Sequence, residues 1–366
     1  MKIHMGQWDP RGQLPDAFLD LPERVYEHDP FWLGEDRHQI MSLFNEQNSW
    51  FEQGQAWIGS IDGLARLAGF FAPQQMIQAC PVAYFGFWEG MDDIVAHTTL
   101  FAGFRDWARA KGAKEVYGPI NFTTFQPYRL RLDRFDEGAF PGEPWNPEYA
   151  PGLLESLGFR CCHTYVSTFA ELEQIREKAL LEQKKLWPAL QGHIVLKAMT
   201  AQYWLDHLQE LYGFVEQVFS GNFAYTPINL DTFKKVCGEA FAQRFCPRTS
   251  ILAEDSNGDI AGFFLTYPDY APLLRRPVAM PWSEVGYKDF DRLPFPRIQL
   301  ARTAGVRPDF RSLGLFTVMS AELLQRAKGL YDQSAGVLIR QDNTSYRFAD
   351  RHGQRRHHYG LFKSTL

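Results

Sequence analysis

The stretch Ala301 to Phe316, ARTAGVRPDFRSLGLF, holds the residues of this chain whose types and order best fit a chemical task. Arg302 to Val306 is β-prone, and Pro308 lacks an N–H and ends the ladder. Arg311-Ser312-Leu313-Gly314 then leads into an apolar periodicity at Leu315, Met319, Leu323 and Leu324. A strand, a tight turn and a helix start in that order aim successive backbone N–H groups and the positive end of the helix dipole at one point, which is an anion site. Gly314 has no Cβ and lets the backbone come close there. A second group is the run Arg347, Arg351, His352, Arg355, Arg356, His357 and His358, the densest basic patch in a chain of formal net charge −5. Alone it is a solvated face; beside an anion site it fits a phosphate, an acidic carrier protein or a tRNA end. The five cysteines, Cys80, Cys161, Cys162, Cys237 and Cys246, are odd in number and form no C-x-x-C pair, so neither a disulfide framework nor a zinc site follows.

The elements that must position these residues repeat. The first half predicts a helix near Asp16 to Glu27, a hairpin of Ala56 to Ile61 and Ala65 to Phe71 across Asp62-Gly63, a strand Pro81 to Trp88 and a helix Ile94 to Lys111. A strand Glu115 to Ile120, a helix Pro147 to Leu157 and a strand Phe159 to Phe169 complete it. A charged helical connector over residues 171–190 follows. The second half predicts a strand Ile194 to Met199, helices Ala201 to Phe219 and Leu230 to Phe241, and a hairpin of Ser250 to Glu254 and Ile260 to Tyr267. Residues 268–296 read as an irregular, proline-rich loop over a cleft. After the opening stretch come a strand Gly336 to Arg340, a helix from about Asn343 to Arg351 and a strand His358 to Phe362. The shared element order indicates two α/β domains, residues 1–170 and 191–366, arisen by duplication without a visible residue-level repeat.

A chain of 366 residues is long for one core, in keeping with two domains. With 45% hydrophobic and 22% charged residues it is globular, and 15% aromatics suit thick cores or large clefts. The acidic balance argues against a general nucleic-acid binder. No apolar run resembles a signal peptide or a membrane span, so a cytoplasmic protein that does not enter a membrane is expected.

At Val306-Arg307-Pro308-Asp309-Phe310-Arg311-Ser312-Leu313-Gly314-Leu315 the sequence resembles the acyl-CoA motif of the GNAT acyltransferase superfamily, V-x-P-x-[YF]-R-x-x-G-x-[GA]. Asn343-Thr344-Ser345, with Gly353 downstream, is similar to the family's second motif, and Tyr84 to Glu89 and Tyr117 to Phe122 are similar to tandem GNAT-like bacterial proteins. Phe316 stands where the family has Gly or Ala, Ala349 where many members have a Tyr acid, and Gln354 where Phe is usual. The resemblance implies two tandem GNAT-like domains of mixed α/β, α+β-like class, each a mostly antiparallel mixed sheet flanked by helices.

It further implies an N-acyltransferase in which acyl-CoA is the co-substrate, no metal takes part and the acceptor is the amine of a small metabolite or amino acid. Thr303, Gly305, Val306, Arg311, Ser312, Leu313, Gly314, Leu315, Phe316 and Asn343 would line the acyl-CoA site, with a backbone N–H near Gly305 or Val306 as oxyanion donor. Glu254, Asp269 and Glu284 are the candidate bases, and Tyr346 a candidate acid. Alternatives are an acyl carrier protein as donor, a tRNA-dependent aminoacyl transferase, and a non-catalytic CoA-binding protein. The first-half turn Phe87-Trp88-Glu89-Gly90-Met91-Asp92-Asp93 carries three carboxylates that would repel a pyrophosphate, so this half is expected to bind no CoA.

Overall fold

The structure is a computed structural model that describes residues 2–275, 277–350 and 353–366. Its strands in chain order are β1 (Ile3–Gln7), β2 (Gln55–Ile61), β3 (Ala65–Phe71), β4 (Met76–Ile77), β5 (Cys80–Gly90), β6 (Glu115–Gly118), β7 (Leu130–Arg131), β8 (Arg160–Glu171), β9 (Ile194–Ala198), β10 (Ile251–Asp255), β11 (Ile260–Pro268), β12 (Ile298–Val306), β13 (Gln333–Arg340) and β14 (Arg355–Thr365). They sort into two compact units. One runs to Thr164 and adds Phe223–Ile228 and His358–Leu366; the other takes Tyr165–Asn222 and Asn229–His357.

In the first unit β1, β2, β3 and β5 pair antiparallel in that order, β5 pairs β6 parallel, and β6 pairs the chain-terminal strand β14 antiparallel. In the second unit β9, β10, β11 and β12 pair antiparallel, β12 pairs β13 parallel, and β13 pairs β8 antiparallel. The duplication expected from the element order is therefore present strand for strand. The sixth strand of each pattern, β14 or β8, comes from the other half of the chain.

Apolar burial explains the elements. Between β2 and β3 the Asp62-Gly63 turn takes Gly63 at φ +70°, and both strands are buried on both faces, as near-continuous apolar runs require. The helix Ile94–Ala110 buries Leu100, Phe101, Phe104 and Ala108 in a core with Trp57, Phe85, Phe159 and Phe362. The helix Leu315–Ala327 supplies Leu315, Val318, Met319, Leu323 and Leu324 to the core of the second unit, and Leu172, Ala179 and Leu186 of the helix Leu172–Leu186 pack there too.

Several elements differ from the sequence expectation. The Asp16 to Glu27 helix is two short ones, Asp16–Leu19 and Leu21–Val25, because Pro22 lacks the N–H that would continue the first. The Ala201 to Phe219 helix is interrupted at His207, whose ring bonds the Tyr203 carbonyl oxygen at 2.8 Å and stacks on the Tyr203 ring. The Leu230 to Phe241 helix breaks at Gly238, where ψ is −148°. The described residues of 268–296, read as an irregular loop, form short helical turns that are pinned to the rest of the unit. Arg244 donates to the Trp282 carbonyl at 3.1 Å and lies over its ring, Tyr287 N–H donates to Gln243 O at 2.7 Å, and Val285, Phe290 and Leu293 are buried in the core. The polar N-terminus forms β1, an edge strand whose pattern was too polar to read.

Candidate functional site

Pairing between β12 and β13 runs only from Ile298↔Gln333 to Ala301↔Gly336. Beyond it β13 stays with β8, through a register break to Ile339↔Val166 and Arg340↔Tyr165, with Leu338 at φ +57°. β12 stays instead with β11, past a bulge at Leu265/Thr266, to Gly262↔Val306. A gap thus opens in the second unit along Arg302 to Val306. The N–H of Arg307 donates to Ala261 O at 2.9 Å. Antiparallel ladders alternate every second residue, so the amides of Thr303 and Gly305 also face β11 while those of Ala304 and Val306 face the gap.

The turn below this strand is tied down from both sides. Arg307 bonds Asp309 at 2.9 Å and Asp255 at 2.7 Å, which holds both carboxyls below their usual range. Pro308 opens the single turn Pro308–Arg311, and Gly314 at φ +81° starts the helix Leu315–Ala327 with no side chain capping it. Gly314 is needed twice: its φ is left-handed, and a Cβ there would lie 2.8 Å from Leu186 Cδ1. The protein itself fills the space that its missing Cβ leaves. Arg311 Nε donates to Val306 O at 2.9 Å and a terminal nitrogen to Val218 O at 3.4 Å, so the guanidinium braces the strand end. Ser312 is exposed, Leu313 half-buried and Leu315 buried. The ring of Phe316 stacks on Phe264 of β11, centroids 5.5 Å apart, and so lies on the sheet.

The structure brings together Thr303, Gly305, Val306, Arg311, Ser312, Leu313, Gly314, Leu315 and Phe316. Glu254 sits near them at the same end of the sheet, across β11, and ion-pairs with Lys197. Tyr203 faces it, its phenol pushed up to about 12 by burial first and by Glu254 second. Asp269 and Glu284 are not brought to the gap. Asp269 N–H bonds Ile298 O and its carboxylate accepts from Ala271 N–H, both at 2.9 Å, which puts it at the start of β12. Val306 is roughly 25 Å away along the strand at about 3.3 Å per residue. Glu284 is exposed in the short turn Trp282–Glu284. Asn343 caps the helix Thr344–Asp350 by accepting from Ser345 N–H at 3.2 Å. Tyr346 donates to Asp350 at 2.9 Å, and burial, with that bond, raises its pKa.

The end of the basic run, Arg355 to His358, is engaged within the protein. Arg356 pairs with Asp350 at 3.0 Å, His358 with Asp133 at 2.6 Å, and Arg355 and the buried His357 lie against the Phe169 ring. Arg351 and His352 lie outside the described residues.

The first unit has the same parting of parallel strands with a different content. β5 pairs β6 only from Val82↔Glu115 to Tyr84↔Tyr117. The chain after β6 then enters the space: Ile120 N–H donates to Phe85 O at 2.7 Å and the Asn121 side chain accepts from Phe87 N–H at 2.8 Å. A Cβ at Gly86 would lie 2.5 Å from Asn121 Oδ1. The following helix start is occupied as well, because the Asp93 carboxylate accepts from Val95 N–H and Ala96 N–H, both at 3.0 Å. Asp93→Ala is expected to destabilise the first unit by about 1 kcal/mol, the usual worth of such a cap. Chemical denaturation checks this. No sequence signal marked Asn121 as a plug or Leu186 as the neighbour of Gly314, since both contacts are long-range.

Among the described residues no group of three or more His, Cys, Asp and Glu side chains could hold a metal, and no helix is long and apolar enough to cross a membrane. No family model matches the chain. It is 23% identical over 218 residues to a bacterial ceramide synthase of Caulobacter vibrioides, covering 57% of this chain and 56% of that protein. It superposes on a GCN5-related glucosamine N-acetyltransferase region of a fungal multi-domain β-N-acetylglucosaminidase with TM-score 0.54 and 14% identity, over 99% of this chain and 38% of that one. A tandem GNAT protein from the clavulanic acid biosynthesis pathway gives 0.51 at 10% identity over 100% and 98% of the two chains. A conserved Enterococcus faecalis V583 protein described as a "probable N-acyltransferase" gives 0.54 at 8% over 100% and 73%. The chain thus spans about half the length of the curated relative it matches. Its fold is the tandem GNAT fold.

Proposed function

We propose that the second unit binds an acyl thioester, acyl-CoA in the simplest case, and transfers its acyl group to an amine. The observation that supports this reading best is the gap along Arg302 to Val306, which ends at a helix start with no side-chain cap. A pantetheine arm carries amides that can pair with the open edge of β12 as a strand would. A pyrophosphate fits the backbone of Ser312, Leu313 and Leu315, with Thr303, Gly305 and Asn343 along the approach. The first unit, with Asn121 in its gap and Asp93 on its helix, is left without room for either group.

In the proposed reaction the neutral amine attacks the thioester carbonyl carbon and forms the C–N bond. The oxyanion accepts from Val306 N–H, the C–S bond breaks and the thiolate leaves. Glu254 is the proposed base for the amine proton, and Tyr346 the proposed acid for the thiolate. Asp269 and Glu284 drop out on position. The relative named a ceramide synthase makes a long-chain amino alcohol the first acceptor to try, and amino acids the second. Arg356 and His358 of the basic run are held in ion pairs within the protein, and a carrier protein or tRNA is kept as a second choice of partner.

Coenzyme A at a hundred times its Kd is expected to raise the melting midpoint by roughly 5–10 °C, since a ligand of the folded state adds about 2.7 kcal/mol at that concentration. Ser312→Glu changes an exposed side chain and puts a carboxylate two residues before the helix-starting Gly314, beside the amides proposed to hold the pyrophosphate. It should leave the ligand-free midpoint in place and weaken CoA at least tenfold. Thiol release from acyl-CoA of several chain lengths, with and without amines, then reads the transfer. The absence of any CoA-induced shift would sink the reading.

A further inference from the structure

The first unit holds a carboxylate that the acyl-transfer reading leaves without a task. Glu89 ends β5 opposite Arg66 of β3 in the strand register. Tyr26 donates to its Oε2 at 2.6 Å, while Oε1 has no hydrogen-bond partner among the described residues. Arg66 is fully buried and spends itself elsewhere, on Glu35 at 2.6 Å and on Phe18 O at 3.0 Å, and its Nε is unpartnered. The charges here are therefore two carboxylates against one guanidinium. Glu89 nevertheless remains partly accessible to solvent. Trp32 stacks on Tyr26 at 5.1 Å, and the Tyr149 hydroxyl donates to Gly90 O, the residue next to Glu89, at 2.7 Å.

We propose that Glu89 of the first unit binds the protonated amine of a small ligand, with its Oε1 accepting from the ammonium beside the stacked pair of Tyr26 and Trp32. A carboxylate with one open oxygen needs a donor, and aromatic faces favour a cation over a neutral group of the same shape. The inference rests on the amine-acceptor reading only in its choice of ligand. The groups facing Glu89 are Arg66 on β3, Glu35 before the helix Arg37–Leu43, Tyr26 just after the helix Leu21–Val25 and Tyr149 before the helix Ala150–Ser156, with Asp92 beyond Tyr149. Burial above all pushes the Glu89 carboxyl up to about 7, so an amine that is charged throughout should bind more tightly as pH rises from 6 to 8.

The test is calorimetric titration of the full chain with n-hexylamine and with n-hexanol, at pH 6 and pH 8. Expected are binding of the amine at least tenfold tighter than of the alcohol, a gain of several-fold between the two pH values, and a loss of tenfold or more in Glu89→Gln. Gln can still accept from Tyr26, so that variant should fold, which its melting curve verifies. Ser312→Glu should leave the amine affinity unchanged, and so separates this site from the thioester site. Equal binding of amine and alcohol, or an unaltered affinity in a folded Glu89→Gln, overturns the proposal.

Discussion

Gly314→Ala is expected to destabilise the second unit by about 1–3 kcal/mol and to abolish the thermal shift with CoA. Two independent costs add. A Cβ-bearing residue at φ +81° sits in the left-handed region, at about 1–2 kcal/mol. The new methyl would also lie 2.8 Å from Leu186 Cδ1, the movable end of a half-buried side chain, so its displacement adds at most about 1 kcal/mol, the low end of overpacking costs. A double-mutant cycle separates them. Leu186→Ala removes the clash but not the backbone strain, so the pair should be more stable than the sum of the singles by up to about 1 kcal/mol. CoA binding should stay lost in the pair, because the strained turn still misaligns the amides after Gly314. Guanidinium denaturation with a fitted midpoint and slope measures the stabilities. A Gly314→Ala variant with an unchanged midpoint and an intact CoA shift would remove the physical reason given for glycine at this position.

The same glycine shows how far the sequence could be read. Its strand, turn and helix follow from local rules: β-prone residues to Val306, a proline that cannot continue the ladder, and apolar spacing from Leu315 onward. The hairpin at Asp62-Gly63 was legible in the same way, since turn chemistry is local. The duplicated element order gave the paired sheet patterns. What decides between the two halves was not legible. Asn121 enters the first gap from beyond β6, and Leu186 comes to Gly314 from a helix far back in the chain. The exchange of β8 and β14 is likewise a pairing between distant segments, which periodicity cannot register. Spacing grouped Glu254, Asp269 and Glu284 as equals, whereas strand direction puts Asp269 at the far end of β12. Glu89 read as one of three acidic residues at a turn; only the register that sets it against Arg66 makes it unusual.

Glu89→Gln is expected to stabilise the chain at pH 8 by about 2 kcal/mol while changing little at pH 4.5. The Glu89 carboxyl is raised from 4.5 to about 7, chiefly by burial, with Arg66 opposing. Between those two values the folded state keeps a proton that the unfolded chain has released. Stability therefore falls as pH rises through this window, and above pH 7 the folded protein carries an ionised carboxylate it disfavours. The full shift converts to about 3 kcal/mol at 1.36 kcal/mol per unit, reduced here because the group keeps some access to solvent. Gln has no proton to lose and keeps the bond from Tyr26, so the penalty vanishes at high pH only. Guanidinium midpoints of both proteins at pH 4.5 and 8 measure the difference, and a gap that is equal at the two pH values would refute the assignment to Glu89. The same disfavoured charge is what a bound ammonium would compensate. Saturating n-hexylamine should accordingly raise the pH 8 midpoint of the wild-type chain and leave that of Glu89→Gln where it is, which ties the stability cost of an ionised Glu89 to ligand binding at that residue.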